Sequence, residues 1–305
     1  EKPRARRVGV GVGVGLKTGV TTVAVLGLGQ LGGSLALAGR AAGVFSAVVG
    51  FGRRPESLSR ALTLGLCDRV TTSAAEAVAD AELVVLATPL RAIPEIVEAI
   101  APALRPGTLV IDVGSVKGTA ARDIEARLPG NVAFVGCHPL AGTEQFGPDA
   151  ARADLFRGRR CLLCPTPRTA PAPLARARGL WEAVGAEVVT MAPDLHDRVM
   201  AAVSHLPHVA AYVLMGALAD LPPSDEQVAR GLPTTSLRDT SRVAGSSPVM
   251  WKDIFLENAP ALLPLIDRLA AELDALKTAI SAGDEARLGT LLETGRTTRA
   301  RFFPE

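Results

Sequence analysis

Four histidines mark the places in this 305-residue chain where proton chemistry is most easily built. His138 lies just beyond the apolar run 133–136, at the mouth of a predicted strand. Imidazole titrates near neutral pH, so a histidine placed there can accept a hydroxyl proton while hydride leaves the same carbinol carbon. A purely structural histidine is the alternative interpretation. His205 and His208 are three residues apart, so one helical face presents both. His196 precedes His205 by nine residues, about half a turn out of phase on a straight helix, and is expected to serve the structure.

A glycine-rich turn predicts where a second reactant would bind. The apolar run 22–26 predicts a buried strand and the residues from Ser34 predict a helix, so the pattern Gly-x-Gly-x-x-Gly connects a strand to a helix. The first glycine then permits a tight turn, the second lets the backbone approach a pyrophosphate, and the third lets the helix pack closely on the strand. The N–H groups at the helix N-terminus also favour phosphate. An ordinary glycine-rich turn is the alternative, but both flanks favour a dinucleotide site, whose predicted contacts are Gly27, Leu28, Gly29, Gln30, Leu31 and Gly32.

The end of the second predicted strand bears on which dinucleotide is bound. Sites that prefer NAD place Asp or Glu there, where the carboxylate bonds the ribose 2′-hydroxyl. This chain has Gly52 followed by Arg53 and Arg54, which removes the repulsion towards a 2′-phosphate and supplies cations that can pair with it. A solvated pair of loop arginines is the alternative interpretation. The pattern favours NADP over NAD, and both cofactors remain open.

Polar residues also follow the next predicted strands. Thr88 closes the third strand and is expected to contact the cofactor. Ser115 and Lys117 follow the fourth strand, where they are expected to lie over the nicotinamide end of the cleft. Cys137 is adjacent to His138 in a strand, so its side chain should point to the opposite face and into the core.

A parallel sheet is needed to bring these residues to one edge. From residue 21 to about 166, short apolar runs alternate with helical stretches, and several runs are apolar on both faces, as in a sheet covered by helices. The predicted strands are 22–26, 47–51, 83–88, 109–113, 133–136 and 161–164. The proline-rich segment 165–173 suggests a boundary region, after which a helix at 174–184 and a strand at 187–191 complete the domain.

Beyond Pro193 the strand signals disappear, and long helices are predicted at 194–219, 260–282 and 284–301. The predicted fold class is α/β, a Rossmann-type doubly wound parallel sheet followed by an all-helical dimerisation domain. The predicted domains are a flexible tail (1–20), a dinucleotide-binding domain (21–192) and a helical substrate and dimerisation domain (193–305). A homodimer through the helical domain is the expected assembly.

Composition argues against several other classes of protein. Thirty-three basic and 31 acidic residues leave no general attraction to nucleic acid or to an anionic membrane. Four cysteines do not form a disulfide framework, and Cys161 and Cys164 lie in one strand with their side chains on opposite faces, so no metal site is expected. Reduced thiols are typical of the cytoplasm.

Two segments could be taken for membrane or export signals. Arginines precede the apolar residues 8–16, but no clean cleavage site follows them, so a tail is favoured over a signal peptide. The segment 199–219 has no charged residue, but polar residues and a proline interrupt it. A helix buried between subunits or under an active site explains that segment better than a membrane span.

Six blocks in order make the chain resemble the prephenate dehydrogenase family. The blocks are Gly27–Ser34, Asp112–Lys117, His138–Glu144, His196–Arg198, Ser204–His208 and Ser241–Ile254. The resemblance implies oxidative decarboxylation of prephenate to 4-hydroxyphenylpyruvate in tyrosine biosynthesis, with hydride transfer to NAD(P)⁺. The related arogenate dehydrogenases form tyrosine directly, and the sequence leaves prephenate and arogenate both open as substrates.

The resemblance also implies roles for individual residues. His138 accepts the proton of the ring C4 hydroxyl, and Ser115 orients this hydroxyl and the histidine. Arg242 binds the ring carboxylate through the paired donors of its guanidinium. His208 lies near the substrate side chain, and His205 helps to shape the pocket.

Other matched positions belong to a polar gate. Glu144, Arg238 and Asp239 match the residues with which the family builds this gate across the dimer, although the family commonly has lysine where this chain has Arg238. Thr143 belongs to the same block as His138 and is assigned to the substrate. Trp251 also matches, either as a core residue or with a direct role.

Two rival functions remain as alternatives. A β-hydroxyacid dehydrogenase also joins a Rossmann domain to helices, but its chemistry uses a lysine in the helical domain, and neither Lys252 nor Lys277 lies in such a motif. A catalytically silent NADP-binding sensor is the second rival. It would not need Ser115, His138, His208 or Arg242, and their joint presence argues against it.

Overall fold

The computed structural model describes residues 21–143, 145–232 and 234–304. The predicted tail 1–20 and the predicted gate residue Glu144 lie outside the described residues. Contacts divide the chain into two compact units. The first unit holds the described residues up to Gly114 together with Ala121–Ala192, and the second holds Ser115–Ala120 together with the described residues from Pro193 onward.

A mostly parallel sheet forms the centre of the first unit. Within the described residues it has eight strands in the order β3-β2-β1-β4-β5-β6-β7-β8. All neighbouring strands are parallel except β6 and β7, so β7 and β8 run opposite to the other six. The strands are β1 (Thr21–Leu26), β2 (Phe45–Phe51), β3 (Arg69–Thr71), β4 (Leu83–Leu86), β5 (Leu109–Asp112), β6 (Ala133–Pro139), β7 (Arg160–Cys164) and β8 (Glu187–Thr190). The predicted α/β fold class is confirmed. The sequence pattern misses β3 because three residues carry too little periodicity.

Helices cover both faces of this sheet, which is why the central strands β4 and β5 are apolar except for Asp112 at the end of β5. All residues of β4 and β5 are buried. The helices that begin in this part of the chain are α1 (Gln30–Ala41), α2 (Pro55–Thr63), α3 (Ala74–Val78), α4 (Ile93–Ile100), α5 (Gly118–Arg127) and α6 (Pro171–Ala183).

The proline-rich segment 165–173 is not a boundary between units. It leads from β7 into α6, whose buried Trp181 packs edge-on against Phe156 with ring centroids 5.2 Å apart. This aromatic contact and the pairing of β8 with β7 place both elements in the first unit. Pro171 and Pro173 of this segment lie in the first turn of α6, where proline is well tolerated.

The carboxyl ends of the central strands lie side by side. Leu26 of β1 pairs with Phe51 of β2 and with Leu86 of β4, and Leu86 pairs in turn with Asp112 of β5. Chain order reverses between β1 and β4, and in open α/β sheets the crevice outside the carboxyl ends at such a point is where ligands bind.

The second unit is helical throughout its described residues from Pro193 onward. Its helices are α7 (Pro193–Met200), α8 (Leu206–Leu218), α9 (Pro223–Arg230), α10 (Thr235–Ser241), α11 (Pro248–Glu257), α12 (Ala259–Ala282) and α13 (Glu285–Phe302). The single long helix predicted at 194–219 is interrupted by a π-helical turn, Ala201–His205. Pro207 has no N–H to donate to the carbonyl of Val203, so the regular hydrogen-bond pattern cannot continue through this point.

Much apolar surface of the second unit is exposed in the single chain. Val199, Val213 and Met215 are among the exposed residues of the uncharged segment 199–219, which was expected to be buried between subunits or under an active site. The helical stretch Pro193–Leu218 is long and apolar enough to cross a membrane by length and composition, and only 22% of its most apolar window is buried.

Candidate active site

The three glycines of the first turn meet three different steric demands. Gly27 has a φ of +106°, and a Cβ there would lie 2.5 Å from the carbonyl oxygen of Ala87. A Cβ on Gly32 would overlap the carbonyl oxygen of Gly27, where α1 packs against the end of β1. Gly29 differs, since a Cβ added there would meet no atom within 4 Å. The backbone at Gly29 therefore faces open space.

The surroundings of this open space fit a dinucleotide phosphate. Gly29 precedes α1, and no side chain caps that helix N-terminus, so its first N–H groups remain available to an anion. Thr88 follows β4, and its Oγ1 is buried without a hydrogen-bond partner among the described residues. Buried hydroxyls without partners are rare in folded proteins and call for an explanation.

The end of β2 presents no carboxylate. Gly52 follows Phe51, and the exposed Arg53 and Arg54 come next. Neither arginine forms an ion pair with another described residue. A Cβ on Gly52 would lie 3.1 Å from the side chain of Leu58, which is flexible enough to adjust.

The side chain of Gln30 ties the glycine-rich turn to the loop after β6. Its Nε2 donates to Oγ1 of Thr143 at 2.8 Å, and its Oε1 accepts from the backbone N–H of Thr143 at 3.0 Å. Gln30, the first residue of α1, was predicted to contact the cofactor, and Thr143 was predicted to contact the substrate. The two predicted site residues are therefore brought together, and the contact fixes the loop that follows His138.

His138 lies within β6 rather than beyond it. Antiparallel pairing with β7 extends the predicted strand 133–136 to Pro139, and His138 pairs with Leu162. The side chain of His138 is half-buried, and the neighbouring Cys137 is fully buried, as alternation predicts.

A buried carboxylate next to His138 was not predicted. Asp112 is fully buried at the end of β5, and its Oδ1 accepts the backbone N–H of Cys137 at 3.1 Å. Its Oδ2 accepts the backbone N–H of Gly114 at 2.9 Å. An acidic residue at the end of an apolar strand is the signal in the sequence that could have identified this anchor.

The half-buried Ser115 belongs to a short segment that Asp197 holds. Oδ1 of Asp197 accepts the N–H of Lys117 and Oδ2 accepts the N–H of Gly118, both at 2.7 Å. His196 donates from Nδ1 to Oδ1 at 2.8 Å, so its ring helps to hold this carboxylate. Burial would raise the pKa of Asp197, but the hydrogen bonds from His196 and from the two backbone N–H groups outweigh it and hold the pKa below its usual value.

Lys117 is buried, and its predicted place over the nicotinamide end of the cleft stays a prediction. Only 1% of Lys117 is exposed, so its side chain lies inside the protein.

His205 and His208 both contact Trp251 of α11. The ring of His208 stacks on the indole with centroids 3.5 Å apart, and the buried ring of His205 lies edge-on at 5.8 Å. Nε1 of Trp251 is buried and has no hydrogen-bond partner among the described residues.

Both histidines are held neutral at physiological pH. Burial lowers the pKa of His205 to about 4. Burial also lowers the pKa of His208, and the positive charge of Arg242 acts in the same direction. Arg242 therefore lies close enough to His208 to affect its protonation, and its guanidinium is exposed at the start of the short turn Arg242–Gly245.

The remaining predicted substrate residues lie on the surface of α10. Arg238 and Asp239 are exposed, and their charged groups are 3.9 Å apart. The third gate residue, Glu144, lies outside the described residues.

No metal centre is formed by the residues that the structure describes. Among them, no three His, Cys, Asp or Glu side chains lie close enough to hold a metal ion. The four cysteines are buried, and none of them forms a disulfide bond.

A cavity of about 420 Å³ lies at the opposite edge of the sheet, by the amino ends of β1, β4 and β5. Two arginines line it, and both are paired, Arg105 with Asp80 and Arg176 with Glu82 at 3.8 Å. This cavity is separate from the glycine-rich turn, and its charges are already compensated.

In comparisons with known proteins, both halves of the chain match family domain models. Residues 35–190 match the prephenate dehydrogenase nucleotide-binding domain, and residues 192–294 match the prephenate dehydrogenase dimerization domain. A cyclohexadienyl dehydrogenase of Zymomonas mobilis is 39% identical over 86% of this chain and 89% of its own length.

Two solved structures are similar over nearly their whole length. Prephenate dehydrogenase from Aquifex aeolicus, in complex with hydroxyphenyl propionate and NAD⁺, has a TM-score of 0.84 and 35% identity over 93% of this chain and 99% of that one. Synechocystis arogenate dehydrogenase has a TM-score of 0.74 and 32% identity over 92% of this chain and 99% of that one. With both domain models matched in order and a relative of 39% identity covered almost completely, the chain belongs to the prephenate dehydrogenase family.

Proposed function

We propose that this protein catalyses the oxidative decarboxylation of prephenate to 4-hydroxyphenylpyruvate in tyrosine biosynthesis. The observation that carries the proposal is His138, a half-buried histidine that an adjacent carboxylate anchor holds at the carboxyl edge of a dinucleotide-binding sheet. Dinucleotide binding alone has no use for this residue, whereas oxidation of a carbinol carbon needs a proton acceptor.

In this reaction some residues bind the reactants and others transfer a proton. A bound NAD(P)⁺ supplies the hydride acceptor. His138 accepts the proton of the ring C4 hydroxyl as hydride leaves C4, and Ser115 orients that hydroxyl. Arg242 holds the ring carboxylate with the paired donors of its guanidinium until it leaves as CO₂ and the ring becomes aromatic. His208 contacts the substrate side chain, His205 shapes the pocket, and Thr143 contributes from the loop that Gln30 fixes.

Steady-state assays test this proposal directly. The purified protein is given prephenate or arogenate with each nicotinamide cofactor, and reduced cofactor and CO₂ are measured together. We expect equal amounts of both products with prephenate. Absence of turnover with both substrates would contradict the assignment.

Arogenate is the second candidate substrate, favoured by the similarity to the Synechocystis arogenate dehydrogenase. The two substrates differ only where a keto group replaces an amine on the side chain. A higher kcat/KM for arogenate would make it the physiological substrate and leave the chemistry unchanged.

We propose that NADP⁺ is the preferred cofactor, although the Aquifex relative was solved with NAD⁺. The support is local: Gly52 lacks the carboxylate that would repel a 2′-phosphate, and Arg53 and Arg54 are exposed beside it without ion-pair partners among the described residues. The same assays compare kcat/KM for the two cofactors. A clear preference for NAD⁺ would reject the proposed NADP⁺ preference and leave the proposed reaction unaffected.

We further propose that residues 21–192 bind the dinucleotide, and that residues 193–305 bind substrate and form a homodimer in the cytoplasm. The match of residues 192–294 to a dimerization domain and the exposed apolar residues of that unit support this assembly. Glu144, Arg238 and Asp239 are assigned to the polar gate.

A further inference from the structure

Asn258, between α11 and α12, does not cap the start of α12 with its side chain. An asparagine in this position normally accepts an N–H of the first helical turn with its side-chain oxygen. Here no side-chain bond caps α12, although Asn258 is its N-cap residue. The side chain is 3% exposed and turns towards two other partners, the carbonyl oxygen of Asp197 at 2.9 Å and Nδ1 of His205 at 3.0 Å.

These two partners determine where the protons lie. A backbone carbonyl can only accept, so the side-chain atom that faces Asp197 must be the amide nitrogen. The same nitrogen faces Nδ1 of His205 and has a second N–H to donate to it. Nδ1 of His205 therefore carries no proton, and the neutral ring has its proton on Nε2.

His208 has the opposite arrangement. Its Nδ1 lies 2.8 Å from the carbonyl oxygen of Ser204, so Nδ1 must donate, and Nε2 of the neutral ring is an acceptor. Both rings contact Trp251. Two histidines on one indole thus differ in which ring nitrogen carries the proton.

We propose that Asn258 is a positioning residue that holds His205 in the neutral Nε2–H form, so that the histidine pair offers one fixed donor and one fixed acceptor. The part of this inference that concerns substrate rests on the proposed function, whereas the protonation pattern does not.

The charges around His205 are compatible with this arrangement. Burial lowers the pKa of His205 to about 4; Asp197 favours the protonated form, whereas His196 and His208 oppose it. Asp197 also connects the arrangement to Ser115, because its carbonyl oxygen accepts from Asn258 while its carboxylate holds Lys117 and Gly118. Asn258 thus fixes His205 relative to the residue that anchors the Ser115 segment.

Nitrogen NMR of protein labelled with ¹⁵N-histidine tests the proposal, because the chain has only four histidines and single substitutions assign them. In the unmodified protein, His205 should show a protonated Nε2 and a bare Nδ1, unchanged from pH 8 to about pH 5. His208 should show the reverse.

Asn258→Asp replaces the donor with an acceptor. We expect Nδ1 of His205 to gain a proton, its titration to move to higher pH, and KM for the substrate to rise roughly tenfold while the cofactor KM changes little. Asn131→Asp is the matched control, since Asn131 is the other asparagine of the chain and is exposed. It should leave the His205 spectrum and KM unchanged.

A protonated Nδ1 on His205 in the unmodified protein would overturn the proposal, and this measurement needs no variant to fold. An unchanged His205 spectrum in a folded Asn258→Asp protein would overturn it as well. The spectra are read without turnover, so loss of the proposed function would appear separately, as an inactive unmodified enzyme whose histidines still show the expected pattern.

Discussion

At the scale of single residues, two buried carboxylates hold the backbone next to the proposed reactive groups. Asp112 accepts the N–H groups of Cys137 and Gly114, which immediately precede His138 and Ser115 in the chain. Asp197 accepts the N–H groups of the segment that follows Ser115. A buried carboxylate is stable only when it is well hydrogen-bonded, so each acid favours one conformation of the chain around it.

His138→Asn should lower turnover by roughly 10²–10⁴-fold, because the amide cannot accept the hydroxyl proton. Cofactor affinity, measured by fluorescence titration, should change little, and His196→Asn serves as a control for loss of a structural histidine. Turnover within a few-fold of the unmodified enzyme would remove His138 from the mechanism.

His205 should make the protein less stable as the pH falls from about 6.5 to about 4. The unfolded chain binds a proton at His205 near pH 6.5, whereas the folded protein resists protonation until about pH 4, so acid favours the unfolded state in this window. Above pH 6.5 the ring is neutral in both states, so protonation costs the folded protein nothing. By pH 4 the free energy of unfolding is lower by about 3 kcal/mol.

Denaturant unfolding at several pH values, compared with His205→Gln, measures this effect. The variant should show a shallower loss of unfolding free energy over the same window. Parallel curves for the two proteins would show that His205 is not the titrating group.

Gly52→Asp should move the ratio of kcat/KM values from NADP⁺ towards NAD⁺. The new carboxylate would repel a 2′-phosphate and accept the ribose hydroxyls, and the adjacent Leu58 side chain can adjust to the added Cβ. Arg53→Ala should add to the shift. A Gly52→Asp enzyme with an unchanged ratio would mean that this loop does not approach the ribose.

At the scale of elements, two irregular turns position groups of the proposed site. They are the turn between β1 and α1 and the π-helical turn before α8. Gly27 and Gly32 allow β1 and α1 to meet closely, while Gly29 leaves the start of α1 open. The π-helical turn Ala201–His205 ends at the histidine that Asn258 binds, just before α8 begins. π-Helical turns often occur at functional sites because they realign side chains within a helix.

Alanine substitutions in the first turn should separate folding from binding. Gly29→Ala adds a methyl group to open space at a backbone conformation that alanine accepts, so the thermal midpoint should change by no more than a few degrees. Cofactor binding should weaken strongly, because the methyl group occupies the position that a pyrophosphate approaches.

Gly32→Ala is the matched comparison, since its methyl group would overlap the carbonyl oxygen of Gly27. This variant should lose several kcal/mol of stability or fail to fold. Calorimetry and cofactor titration on both variants measure the contrast. Full cofactor affinity in Gly29→Ala would contradict the proposed location of the phosphates.

At the scale of the whole molecule, the helical unit leaves large apolar side chains of α12 and α13 exposed in the single chain. Leu263, Leu273 and Ile280 of α12 are each more than half exposed, and Leu292 of α13 is 61% exposed. Large exposed apolar side chains in such numbers are typical of a protein interface. The proposed homodimer gives these residues a partner.

Ile280→Asp should therefore weaken the dimer and lower the thermal midpoint at low protein concentration. Thr278→Asp is the control, because residues two apart lie on nearly opposite faces of α12. Sedimentation velocity over a range of concentrations measures the association. An Ile280→Asp protein as dimeric as the control would exclude this face from the interface.

The fold class and the family could be derived from the sequence because their signals are local. Runs apolar on both faces predict the covered parallel sheet, and the spacing of Gly27, Gly29 and Gly32 predicts a strand-to-helix turn, since only glycine fits where the backbone passes so closely. Ordered blocks of polar residues were enough to identify the family.

Only the tertiary structure shows which of these residues form hydrogen bonds with one another. Gln30 and Thr143 are 113 positions apart, and Asn258 and His205 are 53 apart. No periodicity connects such pairs, because they meet only after the elements that carry them have packed. The proton positions on His205 and His208 depend on these partners, so the sequence determined which groups could react, and the packing determined in which state they are presented.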